Sequence, residues 1–132
     1  MTSPVVHFEM PYADADRVAA FYAEAFGWKI QQLGTAMAGY VLAETAVSDN
    51  GRSTVPGTIN GGFFPVKPDW PAQVPSVVIA VDDIEAAMTM VAGAGGTVLG
   101  EPMEIPGVGT YVSFTDTEGN RVSMLQTNRG AA

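Results

Sequence analysis

Apolar and polar positions follow two different periods along this chain. Two segments carry a helical period. In the first, Ala15, Val18, Ala19 and Tyr22 recur at i, i+3, i+4 and i+7, with Asp14 placed to cap the start and Gly27 to stop the end. In the second, Ile84, Ala87, Met88 and Val91 make the same stripe, Asp82 or Asp83 caps it, and the glycines at 93–96 end it. Runs with strand character flank both helices. They fall at 5–10 before the first helix and at 29–33, 39–45 and 61–66 after it, then at 76–81, 97–99, 110–115 and 121–126 around the second. Turn residues separate them, at Asp49-Asn50-Gly51, Pro56-Gly57, Pro106-Gly107 and Glu118-Gly119-Asn120.

The element order is therefore βαβββ twice, and the two copies are in register. Adding 69 to each position of the first stripe gives the second, and the same offset carries Asp14 to Asp83, Gly27 to Gly96 and His7 to Ser76. Between the copies the segment 65–75 holds four prolines in eleven residues, which suits an extended linker. The fold class expected is α+β. One domain over 1–132 is built from a first module at 5–66, a linker at 67–75 and a second module at 76–127. A repeat of this size cannot cover its own sheet, so the modules pair within the chain or by exchange with a second chain. The expected result is a curved, largely antiparallel eight-stranded sheet with helices on one face and a concave cavity on the other.

Alternation sorts side chains between those faces. In 5–10, Val6, Phe8 and Met10 suit the helix-covered core, which leaves His7 and Glu9 on the concave face. By the same logic Ser76, Val78 and Ala80 face the cavity from 76–81, and Arg121, Ser123 and Leu125 from 121–126. Tyr111 is taken as a further ligand-binding candidate on the strand before. A His, a Glu, an Arg and two Ser converging on one concave surface make a plausible polar site. Met37 and Tyr40 are within reach of it, with nothing in the pattern to set their direction. Phe21, Tyr22 and Phe26 are assigned to the core.

Composition narrows the chemistry. The 132 residues contain no Cys and one His, which excludes disulfides, thiolate zinc sites, Cys nucleophiles and any multi-histidine metal site. Six Lys and Arg against fourteen Asp and Glu give a net charge of −8, and the basic residues are scattered, which argues against nucleic acid. That charge favours neutral or cationic small molecules as partners. The N-terminus has no basic segment followed by an apolar run, and no stretch is long enough to cross a bilayer, so a soluble, cytoplasmic protein is expected.

Several short motifs, taken in order, resemble one known family. Val6-His7-Phe8-Glu9, Phe21-Tyr22, Phe26-Gly27-Trp28, Gly61-Gly62-Phe63, Val81-Asp82-Asp83, Ile105-Pro106-Gly107-Val108-Gly109 and Asp116-Thr117-Glu118-Gly119-Asn120 are similar to the vicinal oxygen chelate superfamily of glyoxalase I, bleomycin-resistance proteins and extradiol dioxygenases. The resemblance covers about residues 5–127 and is closest to the small glyoxalase-like bacterial proteins. It implies metal ligands on the first and last strands of each module. His7 stands at the first such position, Ser76 at its counterpart, Ser123 on the final strand, and the remaining position lies near Phe63. Ser hydroxyls are poor substitutes for the His, Asp, Glu or Cys that a divalent transition ion takes, so the metal site is read as degenerate and no cofactor is expected.

Two functions compete on this reading, with an interaction module that takes no ligand as a third. One is a metal-free protein that binds a small organic molecule through His7, Glu9, Phe63, Ser76, Tyr111, Arg121 and Ser123. The other is a lyase-, isomerase- or dioxygenase-type enzyme that uses His7, with Glu9, as metal ligand or acid–base pair, a carboxylate beside the imidazole raising its pKa. Each residue also has a plainer reading: His7 as a buried imidazole bonded to a neighbour, Glu9 as a solvated carboxylate, Arg121 as a strand-edge residue, and Gly61-Gly62 as a bulge rather than an approach for a ligand. The resemblance further implies a homodimer.

Overall fold

A computed structural model of the chain describes residues 2–50 and 52–128; Met1, Gly51 of the expected turn, and Arg129 lie outside the described residues. Two helices and eight principal strands, four in each of two units, make an α+β fold. The units are 7–75, and 76–128 together with 2–6, the latter held by Ala80 N–H donating to the Pro4 carbonyl at 2.9 Å.

In the first unit, β1 (Val5–Tyr12) leads to α1 (Ala15–Phe26), then β2 (Lys29–Gln32), β3 (Val41–Glu44), a small hairpin of β4 (Ser48–Asp49) and β5 (Arg52–Ser53), and β6 (Asn60–Pro65). The strands are ordered β2-β3-β6-β1, with β1 and β6 parallel and the other two pairs antiparallel. Helix α1 starts where the Asp14 carboxylate accepts from Arg17 N–H at 3.0 Å and stops at Gly27, whose φ of 72° only glycine adopts at little cost. Its inner stripe of Ala15, Val18 and Tyr22 packs on Val41, Ala43 and Phe63, with Phe8, Met10, Trp28 and Ile30 around them. The Tyr22 ring stacks on Trp28 at 4.7 Å and 12°.

Two core assignments need correction. Phe21 and Phe26 are 56% and 63% exposed. At about 100° per residue Phe21 points well away from the Ala15–Val18–Tyr22 stripe, and Phe26 is the last residue of the helix. They pack on the outer edges of Tyr22 and Trp28 instead. The proline-rich 67–75 segment is not extended either. The Gln73 side chain clasps it into turns, accepting from Lys67 N–H at 2.6 Å and donating to the Lys67 and Trp70 carbonyls.

The second unit repeats the plan. β7 (Ser76–Ala80), α2 (Ile84–Gly93), β8 (Thr97–Ile105), β9 (Gly109–Thr115) and β10 (Arg121–Thr127) give the order β7-β10-β9-β8, with β7 and β10 parallel. Asp83 caps α2 by accepting from Ala86 N–H at 3.1 Å, the same task Asp14 performs 69 residues earlier. The α2 stripe of Ile84, Ala87, Met88 and Val91 packs on Val112, Phe114 and Met124, joined by Ile79 and Val81. Ile105 to Gly109 is a hairpin connection, with Val108 N–H bonded back to the Ile105 carbonyl at 3.0 Å.

Candidate functional site

The helix-side core of the first unit fixes what stands on the opposite sheet face. Phe8, Met10, Ile30, Val41, Ala43 and Phe63 point toward α1, so alternation turns His7, Glu9, Lys29, Gln31, Leu42, Glu44, Asn60 and Gly62 to the other side. The glycine pair at the middle of β6 serves both faces. A Cβ on Gly61 would sit 2.4 Å from the Phe8 ring, and a Cβ on Gly62 would sit 2.2 Å from the Tyr40 ring. Each missing side chain is thus the slot for one of the protein's own aromatic rings. The pair is not a bulge, since the pairing with β1 and β3 runs through both positions in register, and Gly61 is among the residues lining the cleft beside His7.

Seated over Gly62, the Tyr40 hydroxyl joins His7 to Glu9. It donates to Glu9 Oε2 at 3.0 Å and stands 3.0 Å from His7 Nε2. A phenol has one hydrogen to donate, and Tyr40 gives it to Glu9 Oε2, so Nε2 carries the hydrogen that meets the Tyr40 oxygen. The direction is His7 Nε2–H to Tyr40 O–H to Glu9, and Nδ1 is left as the acceptor of the imidazole. Glu9 is only 4% exposed, and the phenol provides one of the hydrogen bonds that a buried carboxylate requires. Burial lowers the His7 pKa from 6.5 to about 4, so the ring is neutral at pH 7. This reverses the expectation that Glu9 raises it: the hydroxyl stands between the two groups, and desolvation decides the outcome.

His7 also lines a cleft of about 480 Å³, with Lys29, Gln31, Leu42, Glu44 and Asn60 among its walls. Asn60 is engaged inward, accepting from Thr45 N–H at 2.8 Å and donating to Ser48 Oγ at 2.6 Å. Lys29 and Glu44 are cross-strand partners of opposite sign. A smaller depression beside the start of α1, lined by Tyr12, Asp14, Arg17 and Phe21, has its carboxylate committed to the helix cap.

In the second unit the equivalent face carries hydroxyls. Tyr111 Oη lies 2.6 Å from Ser123 Oγ, and Ser113 Oγ lies 3.1 Å from the same atom. Ser123 is 1% exposed, and Arg121, two residues before it on the strand, is buried as well rather than at an edge. Ser76 begins β7 half-buried.

Strand register aligns the two units and corrects one assignment. Glu9 pairs with Gly62, and Val78, 69 residues after Glu9, pairs with Ser123, so Gly62 is the counterpart of Ser123 and their antiparallel partners Leu42 and Ser113 correspond. Phe63 is not: it is fully buried in the core beneath α1. The positions where the resemblance places metal ligands therefore hold His7, Gly62, Ser76 and Ser123. Among the described residues no group of three or more His, Asp or Glu is gathered to hold a metal ion. The same register makes Tyr40 the counterpart of Tyr111, each two residues before the paired position. The structure thus brings His7 and Glu9 together through a residue whose direction the sequence left open. Alternation counted back from Val41 and Ala43 would have placed Tyr40 on the His7 face, and the small residue at Gly62 marked the space it fills.

Comparison with known proteins agrees with this architecture. A glyoxylase-like domain-containing protein of Didymella fabae is 33% identical over 117 residues, covering 85% of this chain and 84% of that protein. A variant of Streptomyces coelicolor methylmalonyl-CoA epimerase, solved with 2-nitronate-propionyl-CoA, superposes with a TM-score of 0.72 at 12% identity over 100% of this chain and 99% of that one. A hypothetical protein of Bacillus halodurans superposes with a TM-score of 0.67 at 13% identity, over 100% and 99%. These two similarities show the fold alone. The sequence profile of the Glyoxalase/Bleomycin resistance protein/Dioxygenase superfamily matches residues 5–124, nearly the whole chain, and the chain belongs to that superfamily.

Proposed function

We propose that this protein binds a small organic molecule in the cleft beside His7 and does so without a resident metal. The observation that carries the reading is the His7–Tyr40–Glu9 chain over Gly62. It commits the one imidazole to a neutral, hydrogen-bonded role at the wall of a cleft large enough for a small ligand. The donor set supports the second half. One imidazole, two hydroxyls and a glycine do not fit a divalent transition ion, which takes three or more His, carboxylate or thiolate ligands. The resemblance also implies a homodimer, for which light scattering should give twice the 13.8 kDa of the chain.

A thermal-shift screen of cationic antibiotics, aromatic metabolites and thioether conjugates tests the reading, because a ligand present at 100 times its Kd stabilises by about 2.7 kcal/mol. A hit that His7→Ala abolishes supports it, and silence across all three classes removes it. Metal analysis of protein purified without a histidine tag should return well under one ion per chain. One tightly bound ion lost in His7→Ala overturns the metal-free part.

One observation favours a second reading, an isomerase- or lyase-type enzyme. The hydrogen-bonded line from imidazole to carboxylate is continuous, which is what moving a proton between ligand and Glu9 requires. Exchange of a ligand C–H for deuterium in D₂O, dependent on Glu9, separates this from simple binding.

A further inference from the structure

Resting on the binding reading above, we propose that the cleft selects an uncharged ligand that presents a hydrogen-bond donor, a hydroxyl or amide N–H, to Nδ1 of His7, and that Tyr40 is the positioning residue that sets this selectivity. The chain as a whole is at −8, which suggests a cationic partner. The cleft itself does not carry that charge. Its wall holds one residue of each sign, Lys29 and Glu44, opposite each other in the β2–β3 strand register, and an imidazole that is neutral at pH 7. The nearest further carboxylate, Glu9, is not part of the wall. It is buried and accepts the Tyr40 hydroxyl hydrogen bond. A cation entering beside His7 would lose hydration and meet a wall with no net negative charge in return, which is the costly case.

Polarity of the wanted ligand follows from the tautomer. Tyr40 spends its hydrogen on Glu9 and so accepts from Nε2, which keeps the imidazole hydrogen on that nitrogen. Nδ1 makes no hydrogen bond with the described residues and is an acceptor. A ligand donor matches it, whereas a carbonyl or ether oxygen would face a lone pair. The phenol is held in place for this task. Tyr40 C=O accepts from Leu33 N–H at 2.9 Å, and Tyr12 Oη holds the Gly39 carbonyl at 2.6 Å, so the ring is braced at the residue before it and on its own backbone.

The experiment has two arms on the full-length protein. Because His7 is the only histidine, the imaging of its ring nitrogens by ¹⁵N NMR at pH 7 reports one residue. Protonated Nε2 and bare Nδ1 are expected in the wild type, with Tyr40→Phe moving the tautomer balance while the ring still fills the slot over Gly62. A wild type dominated by the Nδ1–H form overturns the proposal without any ligand or variant. In the second arm benzyl alcohol and benzylammonium, matched in shape, are titrated while the same His7 signals are followed. The neutral probe should bind at least about tenfold tighter, and Tyr40→Phe should shrink that ratio to below about threefold. An equal or stronger response to benzylammonium in the wild type overturns the charge selectivity. Silence of both probes with the tautomer as expected points instead to failure of the binding reading, and the proposed ligand falls with it.

Discussion

Adding one methyl group at Gly62 should dismantle the candidate site, and the size of the effect follows from the geometry. The new Cβ would lie 2.2, 2.3 and 2.4 Å from Cε2, Oη and Cζ of Tyr40, far inside van der Waals contact, so the ring must lift and its hydroxyl must leave His7 and Glu9. Overpacking of this kind costs about 1–3 kcal/mol. Leaving the buried Glu9 carboxyl and His7 Nε2 short of this partner adds about 1–3 kcal/mol. Alanine is about 0.5–1 kcal/mol better than glycine inside a strand, which offsets part of this. The net expectation for Gly62→Ala is about 1–5 kcal/mol of destabilisation. Urea unfolding followed by tryptophan fluorescence reads it directly, since Trp28 and Trp70 both lie in the unit that contains the site. Two controls make the reasoning refutable. Gly61→Ala meets the Phe8 ring on the other face and should cost stability while leaving the hydrogen of His7 on Nε2. In a Tyr40→Ala background the cost of Gly62→Ala should vanish, leaving the substitution neutral to about 1 kcal/mol stabilising, because the obstructing ring is gone. An undiminished cost in that background would show that Gly62 is needed for some reason other than Tyr40.

Stability should also depend on pH through His7. Its folded pKa of about 4 lies below the 6.5 of the unfolded chain, so as pH falls through that window the unfolded state takes up the proton first. Stability is therefore lost between about pH 6.5 and 4, by up to about 3 kcal/mol, and the loss levels off below 4. His7→Gln should lack that component, and superimposable pH profiles for the two proteins would sink the assignment. At the helix starts, Asp14→Ala and Asp83→Ala should each cost about 1 kcal/mol, since both carboxylates cap a backbone N–H in the same register; a neutral result at either position in urea melts argues against the cap there.

Much of the fold was legible because its signals are local. A stripe at i, i+3, i+4 and i+7 next to an aspartate cap and a glycine stop describes a helix without reference to anything distant. The offset of 69 doubled each of those signals. Phe21 and Phe26 misled because an aromatic residue on a helix suggests core, while the angle from the stripe and the end of the helix decide exposure. The site was legible by half. Alternation in β1 is enough to turn His7 and Glu9 together to one face. What joins them is Tyr40, 31 residues from Glu9 in sequence, and its placement depends on the pairing of β3 with β6 and on an empty position at Gly62. Pairing register is a long-range property, and the same register is what moves the counterpart of Ser123 from Phe63 to Gly62. The sign of the His7 pKa shift was missed for a related reason: proximity of a carboxylate is visible in the sequence, but burial and an intervening hydroxyl are not.

Calorimetric titration of chelator-treated protein with the compound that stabilises it most tests the central claim most directly. A single-site isotherm that is unchanged by added zinc or manganese and abolished by His7→Ala is the predicted result. Binding that appears only after metal is restored, or that survives His7→Ala unaltered, would contradict a metal-free ligand site at His7.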